Sequence, residues 1–182
     1  MLKAFGSKYY IGDSEEADEY YNYVKDLLDS DIVNQMKNYT HHYSTTCFQH
    51  CLNVSYYNYL LCRKLKLNSR DAARAGMLHD LFLYDRKTRE KKEGEKSHSF
   101  HHPEVALNNA QKYFDVDERE ENMILSHMWP LASYRPKYAE SFAISAVDKY
   151  IATLELLTHA VNTVKHKCKG KFKPSYYSSK LQ

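Results

Sequence analysis

Glycine and proline are scarce in this chain of 182 residues, which has five glycines and four prolines. Folds made of many short strands need these residues in their turns, so their scarcity argues against a turn-rich β protein. No apolar run approaches the roughly 18 residues of a membrane-spanning helix, and the N-terminus lacks the apolar core of an export signal. The four cysteines show neither zinc-finger spacing nor a disulfide framework, which favours a reducing cytoplasm.

Neither positive nor negative charge is in large excess either. The formal net charge is +3 at pH 7, too little to indicate nucleic-acid binding by itself. The stretch from Lys165 onward carries six lysines and no acidic residue, but cations near the C-terminus of a helix complement its dipole without any partner. We therefore expect neither a membrane nor a nucleic acid as partner, and the sequence leaves a homodimer open.

Apolar residues recur at helical spacing through most of the chain. Between Cys47 and Leu61 they fall at i, i+3 and i+7 positions, which turns His50 inward. Capping residues and acidic first turns predict where helices begin. The predicted helices are residues 14–35 after Asp13 or Ser14, one after Thr45 or Thr46, one after Asn68 or Ser69, one from His102–Pro103, one from Asp117 with Glu120, and Ser141–Lys167. The pattern predicts an all-α, single-domain bundle of about six to seven helices.

The dipeptide His79-Asp80 lies in an otherwise apolar segment, residues 72–82. A buried carboxylate costs several kcal/mol unless a cation or hydrogen-bond donors satisfy it. Other candidate ligands lie within predicted helices, and imidazoles and carboxylates together suit zinc, iron or manganese. The full candidate set is His50, His79, Asp80, His102, His127 and Asp148. We interpret this set as a metal site.

Simpler interpretations exist for the single residues. Any one of these histidines could be a hydrogen-bonded helix residue, and the His79-Asp80 pair could close a helix end through a local hydrogen bond. The ordered series, with an aspartate inside a late apolar helix, favours the metal interpretation. His98 and His101 are expected to face solvent or to support the site, whereas His41 and His166 are expected to lie outside it.

Several strings resemble the HD superfamily of metal-dependent phosphohydrolases, a helical fold named for its His-Asp pair. They are residues 48–54, 76–80, 102–106 and 146–149, and together they span roughly residues 45 to 157. The additional His102 and His127 are similar to the branch of that superfamily that holds two metals. The resemblance implies an N-terminal helix and connector (1–40), an HD-type metal-binding domain (41–165) and a basic tail (166–182).

The resemblance also implies an activity, which is cleavage of a phosphoester or phosphoanhydride, with a nucleotide as the expected substrate, by attack of a metal-bound hydroxide. It implies one or two divalent ions of iron, manganese, zinc or nickel. His102 and His127 would hold one ion, and the catalytic Asp80 would bridge to the other. The ligands implied for that other ion are His50, His79, Asp80 and Asp148.

Substrate contacts are less well indicated by the sequence. Lys149 and Arg86 are candidate phosphate contacts, although either could be an ordinary surface cation. Leu83-Tyr84 stands where a lysine often follows the His-Asp pair in the family. The charged connector of residues 85–99 is a solvated loop or a lid over the site.

Two other functions compete with the hydrolase. One is a catalytically silent HD-type domain that binds a nucleotide or a metal as a sensor or scaffold, although such a domain has no chemical need for all six candidate ligands. The other is a two-iron oxygenase, which would require iron specifically and would consume oxygen.

Overall fold

The computed structural model describes residues 3–4, 14–42, 45–85, 88–89 and 97–171. Within these ranges the fold is all-α, as predicted, with seven α-helices. None of the helices in the described ranges is long and apolar enough to cross a membrane. The helices are α1 (Glu15–Leu28), α2 (Asp31–Asn34), α3 (Cys47–Lys64), α4 (Ser69–Leu78), α5 (His98–Tyr113), α6 (Glu118–Ser126) and α7 (Ala139–Lys171).

Two short strands precede α3. Strands β1 (Thr40–His42) and β2 (Thr45–Thr46) form an antiparallel pair, and a 3-10 turn, Gln35–Asn38, leads into it from α2. The Cys47 amide donates to the Tyr39 carbonyl over 2.8 Å, which folds this pair back onto the start of α3.

Local capping sets most helix starts, and these predictions are confirmed. Ser14, Thr46 and Asn68 each accept a hydrogen bond from the backbone N–H three residues later. Asp117 and Glu120 form a reciprocal capping box at the start of α6.

Two predicted boundaries are wrong. Residues 14–35 are not one helix, because Ser30 adopts an extended conformation (φ −76°, ψ 131°) and the Asn34 side chain ties the break by donating to the Leu28 and Ser30 carbonyls. Helix α5 begins at His98 rather than at His102, so Pro103 lies inside it. Near a helix start a proline removes one backbone hydrogen bond, and the helix continues past it.

Helices α3 and α4 approach very closely at Gly76. A Cβ atom added there would lie 2.5 Å from the Cα atom of Ser55, so only glycine permits this crossing. The Arg74 guanidinium, on the same helix, pairs with Asp26 of α1 over 2.7 Å and with Glu120 of α6 over 3.2 Å. Helix α4 is thus enclosed by its neighbours, and its C-terminal end is fixed inside the bundle.

Candidate metal centre

Six buried side chains converge where the helices meet. His50 lies in the first turns of α3, His79 and Asp80 directly follow α4, and His127 directly follows α6. His102 comes from α5 and Asp148 from α7. The structure therefore brings together all the residues that the sequence singled out as candidate ligands.

Asp80 lies at the centre of this group. Its Oδ1 atom is 3.2 Å from His102 Nε2 and 3.6 Å from His127 Nε2. Its Oδ2 atom is 3.6 Å from His79 Nε2 and 2.6 Å from His41 Nε2. Each carboxylate oxygen thus faces two imidazole nitrogens.

Asp148 adds a second carboxylate on one side of the group. Its Oδ1 atom is 3.1 Å from His50 Nε2 and 3.8 Å from His79 Nε2. His79 therefore lies between two carboxylates, Asp80 and Asp148.

The ends of α4 and α6 orient two of the rings in the same way. His79 Nδ1 lies 2.9 Å from the Gly76 carbonyl oxygen, and His127 Nδ1 lies 2.7 Å from that of Ile124. The last carbonyls of a helix lack backbone partners, so a ring N–H placed directly after the helix satisfies one of them. The helix-end hydrogen bond and the metal interpretation are therefore compatible, because Nδ1 serves the first and Nε2 is left for the second.

The other two rings have acceptors at Nδ1 as well. His102 Nδ1 is 2.8 Å from the His98 carbonyl oxygen, and His50 Nδ1 is 3.1 Å from Glu155 Oε2. A carboxylate or carbonyl behind the ring fixes its orientation and directs Nε2 forward, as in histidines that ligate metals.

The Nε2 atoms of His102 and His127 face each other. These atoms are 2.9 Å apart, and with both Nδ1 atoms donating, two lone pairs would oppose each other unless one Nε2 atom carried a proton or both bound a metal ion. Among the described residues, neither His79 Nε2 nor Asp80 Oδ1 makes a hydrogen bond, although both are buried. This donor set suits a divalent transition metal.

Both carboxylates are ionised. Burial alone would raise the pKa of Asp80, but the charges of His79, His102 and His41 outweigh it and hold that pKa well below its usual value. Against the same effect of burial, the hydrogen bond from His50 and the nearby charges of His50 and His79 hold the pKa of Asp148 well below its usual value. The centre keeps two negative charges ready for a cation.

The candidate ligands form overlapping groups. In each, one ligand atom per residue lies within 4.8 Å of the others. The groups are His50, His79 and Asp148; His79, Asp80 and His127; and His41, His50 and Asp80.

A cleft leads from the surface to this centre. Asp80, His102 and Asp148 lie at its base, and Met128 and Leu131 contribute to its apolar wall. A substrate could therefore place a polar group at the carboxylates and an apolar group against the wall.

Lys149 also lines the cleft but already has three acceptors. Its ammonium lies 3.1 Å from the His127 carbonyl oxygen and 3.0 Å from both the carbonyl and the hydroxyl oxygens of Ser145. It therefore holds His127 in place, and a phosphate contact would replace one of these bonds. Arg86, the other candidate substrate contact, lies outside the described residues, as do residues 87 and 90–96 of the charged connector and residues 172–182 of the tail.

Two contributing residues were not anticipated from the sequence. The expectation that His41 lies outside the site is wrong, because its ring contacts Asp80. Glu155, about two helical turns after Asp148 on α7, contacts His50 Nδ1, and only its place on the same helix stripe as Asp148 could have indicated it. His98, for which the sequence left exposure to solvent or support of the site open, lies 3.1 Å from the Tyr84 hydroxyl, stacks on His102 and lines the cleft.

Comparison with known proteins gives one match. The family model of the HD domain matches residues 47–153, more than half of the chain. No curated protein and no solved structure matches the chain. The matched segment contains His50, the His79-Asp80 pair and Asp148, the residues that the geometry brings together. This chain therefore belongs to the HD domain family.

Proposed function

We propose that the protein is a metal-dependent phosphohydrolase that cleaves a phosphoester or phosphoanhydride bond, with a nucleotide as its substrate class. One observation carries the proposal: buried histidines present Nε2 atoms to two ionised carboxylates at the base of a cleft. Membership of the HD domain family, whose members are generally metal-dependent hydrolases, supports it. We place this activity in the cytoplasm, in line with the cysteine usage.

The residues divide into two groups about Asp80. When bound, one or two divalent ions of iron, manganese, zinc or nickel would supply a Lewis acid for phosphoryl oxygens and lower the pKa of a bound water. His102 and His127 face one oxygen of Asp80. The residues grouped near its other oxygen are His50, His79 and Asp148.

The chain's own contribution is positioning and charge. Asp80 stays ionised in a buried site and faces both groups, which is why we assign it the catalytic role. The wall that includes Met128 and Leu131 would take the organic part of the substrate and exclude water beside the reacting phosphate. Lys149 and Arg86 remain our candidate cations for phosphate, Lys149 by exchanging one of its present hydrogen bonds.

A screen for phosphate release tests the proposal. The purified protein, loaded in turn with manganese, iron and zinc, is offered nucleoside mono-, di- and polyphosphates. We expect turnover of at least one of them, and we expect Asp80→Ala to abolish it while helix content by circular dichroism is largely preserved. His159→Ala, a histidine change on the distal half of α7, is the matched control and should keep full activity.

Other outcomes would contradict the proposal. Full activity in Asp80→Ala would remove Asp80 from the mechanism. A metal-loaded, folded protein that binds a nucleotide without releasing phosphate would be the silent sensor or scaffold. Oxygen consumption with iron alone would indicate the oxygenase.

A further inference from the structure

We propose that His41 is a positioning residue of the metal centre, which holds Asp80 in the orientation needed to serve both groups of ligands. This inference rests on the proposed function, since it concerns the same centre. His41 lies six residues before the segment that matches the HD domain, so the family assignment does not include it.

The contact itself is short and buried. His41 Nε2 lies 2.6 Å from Asp80 Oδ2, and both side chains are almost fully shielded from solvent. A hydrogen bond to an ionised acceptor is about twice as strong as one between neutral groups. A carboxylate oxygen has two lone pairs, so Oδ2 can accept from His41 and still offer one lone pair on the His79 side.

Two neighbouring contacts fix where His41 and Asp80 lie. Its ring stacks on that of His50, with centroids 4.0 Å apart and planes 13° from parallel. The Cys47 thiol, at the start of α3, donates to the Asp80 backbone carbonyl over 3.2 Å. Strand β1, the first turn of α3 and the end of α4 are therefore joined around Asp80.

The stacked geometry argues for a positioning role over direct ligation beside His50. The lone pairs of nearly parallel rings lie in separate planes, one above the other, so the two rings do not direct nitrogens to one point. His41 instead directs its Nε2 atom at Asp80. Without this donor, rotation of the Asp80 carboxylate would alter the separation between its oxygens and both histidine groups.

The test compares Co²⁺ binding by the wild type, His41→Ala and His41→Gln, each stripped of metal, with His159→Ala as control. Glutamine keeps an N–H donor in the side chain and alanine does not. We expect His41→Ala to weaken Co²⁺ binding about 10- to 100-fold and to change the visible absorption of the bound Co²⁺. His41→Gln should recover most of the affinity and the wild-type spectrum, and His159→Ala should match the wild type in both.

The outcomes separate this inference from the proposed function. If the wild type binds Co²⁺ and His41→Ala binds it with the same affinity and spectrum, His41 does not position Asp80. If the wild type binds no Co²⁺ at all, the metal centre itself is refuted. Should His41→Ala fail to fold, His41→Leu fills the ring's volume without a donor, and its comparison with His41→Gln decides in the same way.

Discussion

Asp80 is the residue on which the site depends most, because four imidazole nitrogens lie within 3.6 Å of its two oxygens. Burial of an isolated carboxylate is costly, and here nearby histidines offset that cost. They are not all in the same protonation state. Burial, together with the charges of His79 and His102, lowers the pKa of His127 to about 3, so that this ring is neutral and ready to ligate.

The pKa of His50 is shifted in the opposite direction, and this shift predicts that metal binding depends on pH. Burial lowers its pKa, but Asp148 and Glu155 outweigh burial and raise the pKa well above its usual value. At neutral pH the metal-free protein therefore holds a proton on His50, and a bound ion must displace it. Metal affinity should rise with pH, by about tenfold per unit for each proton released.

Competition titrations with a chelating dye at pH values from about 6 to 8 measure this effect. Glu155→Gln removes one of the charges that retain the proton while keeping an acceptor for Nδ1, so the rise in affinity should move to lower pH. An affinity independent of pH in both proteins would show that His50 is already deprotonated or is not a ligand.

The sequence singled out the candidate ligands better than the residues that support them, for a physical reason. His50, His102, His127 and Asp148 lie on or at the ends of periodic helices, and His79-Asp80 is conspicuous because it is polar in an apolar segment. His41 lies on a three-residue strand that has no helical periodicity. Its partner, Asp80, is 39 positions further along the chain, and only the tertiary structure shows that they meet.

At the scale of elements, the crossing of α3 and α4 sets the geometry of the centre. The crossing depends on Gly76, because a Cβ atom added there would lie 2.5 Å from the Cα atom and 2.9 Å from the N atom of Ser55. A backbone atom cannot rotate away, so a larger residue must push the helices apart. The end of α4 carries His79 and Asp80, and it would move away from His50 on α3.

We therefore predict that Gly76→Ala destabilises the protein. Helix propensity alone would make this change stabilising by about 0.5–1 kcal/mol. Overpacking should exceed that gain and lower the free energy of unfolding by about 1–3 kcal/mol, measured by urea denaturation of the metal-free protein. A Gly76→Ala protein that is more stable than the wild type would show that the helices do not approach as closely as described.

Helix boundaries separate into those that local chemistry decides and those that it does not. The caps at Ser14, Thr46, Asn68 and Asp117 act within three residues and were predictable. The start of α5 was not, because the rule that proline favours the first helical turn is local. The extra turn before Pro103 places His98 against Tyr84, which is a tertiary contact.

At the scale of the whole molecule, the centre joins segments from across the chain. His41 on β1, His50 on α3, the end of α4, α5, the end of α6 and α7 all contribute a side chain to it. A bound ion would therefore link most elements of the fold, and an ion that binds only the folded state stabilises it.

We predict that metal removal lowers the melting temperature. At a free ion concentration about 100 times the Kd, binding contributes about 2.7 kcal/mol, and each kcal/mol corresponds to about 2–4 °C in a protein of this size. Differential scanning fluorimetry with and without a chelator, followed by readdition of the ion, measures the shift. Asp80→Ala should melt at one temperature under all three conditions, and a wild type that behaved like that variant would contradict the prediction.

Elemental analysis of the purified, untagged protein tests the central claim most directly, with His79→Ala purified in parallel. His79 lies between Asp80 and Asp148, so its loss should disrupt both groups of ligands. The account predicts one or two transition-metal ions per chain in the wild type, two if both groups of ligands are filled, and their loss in the variant. A wild type that holds no metal, even after reconstitution with manganese, iron or zinc, would contradict it.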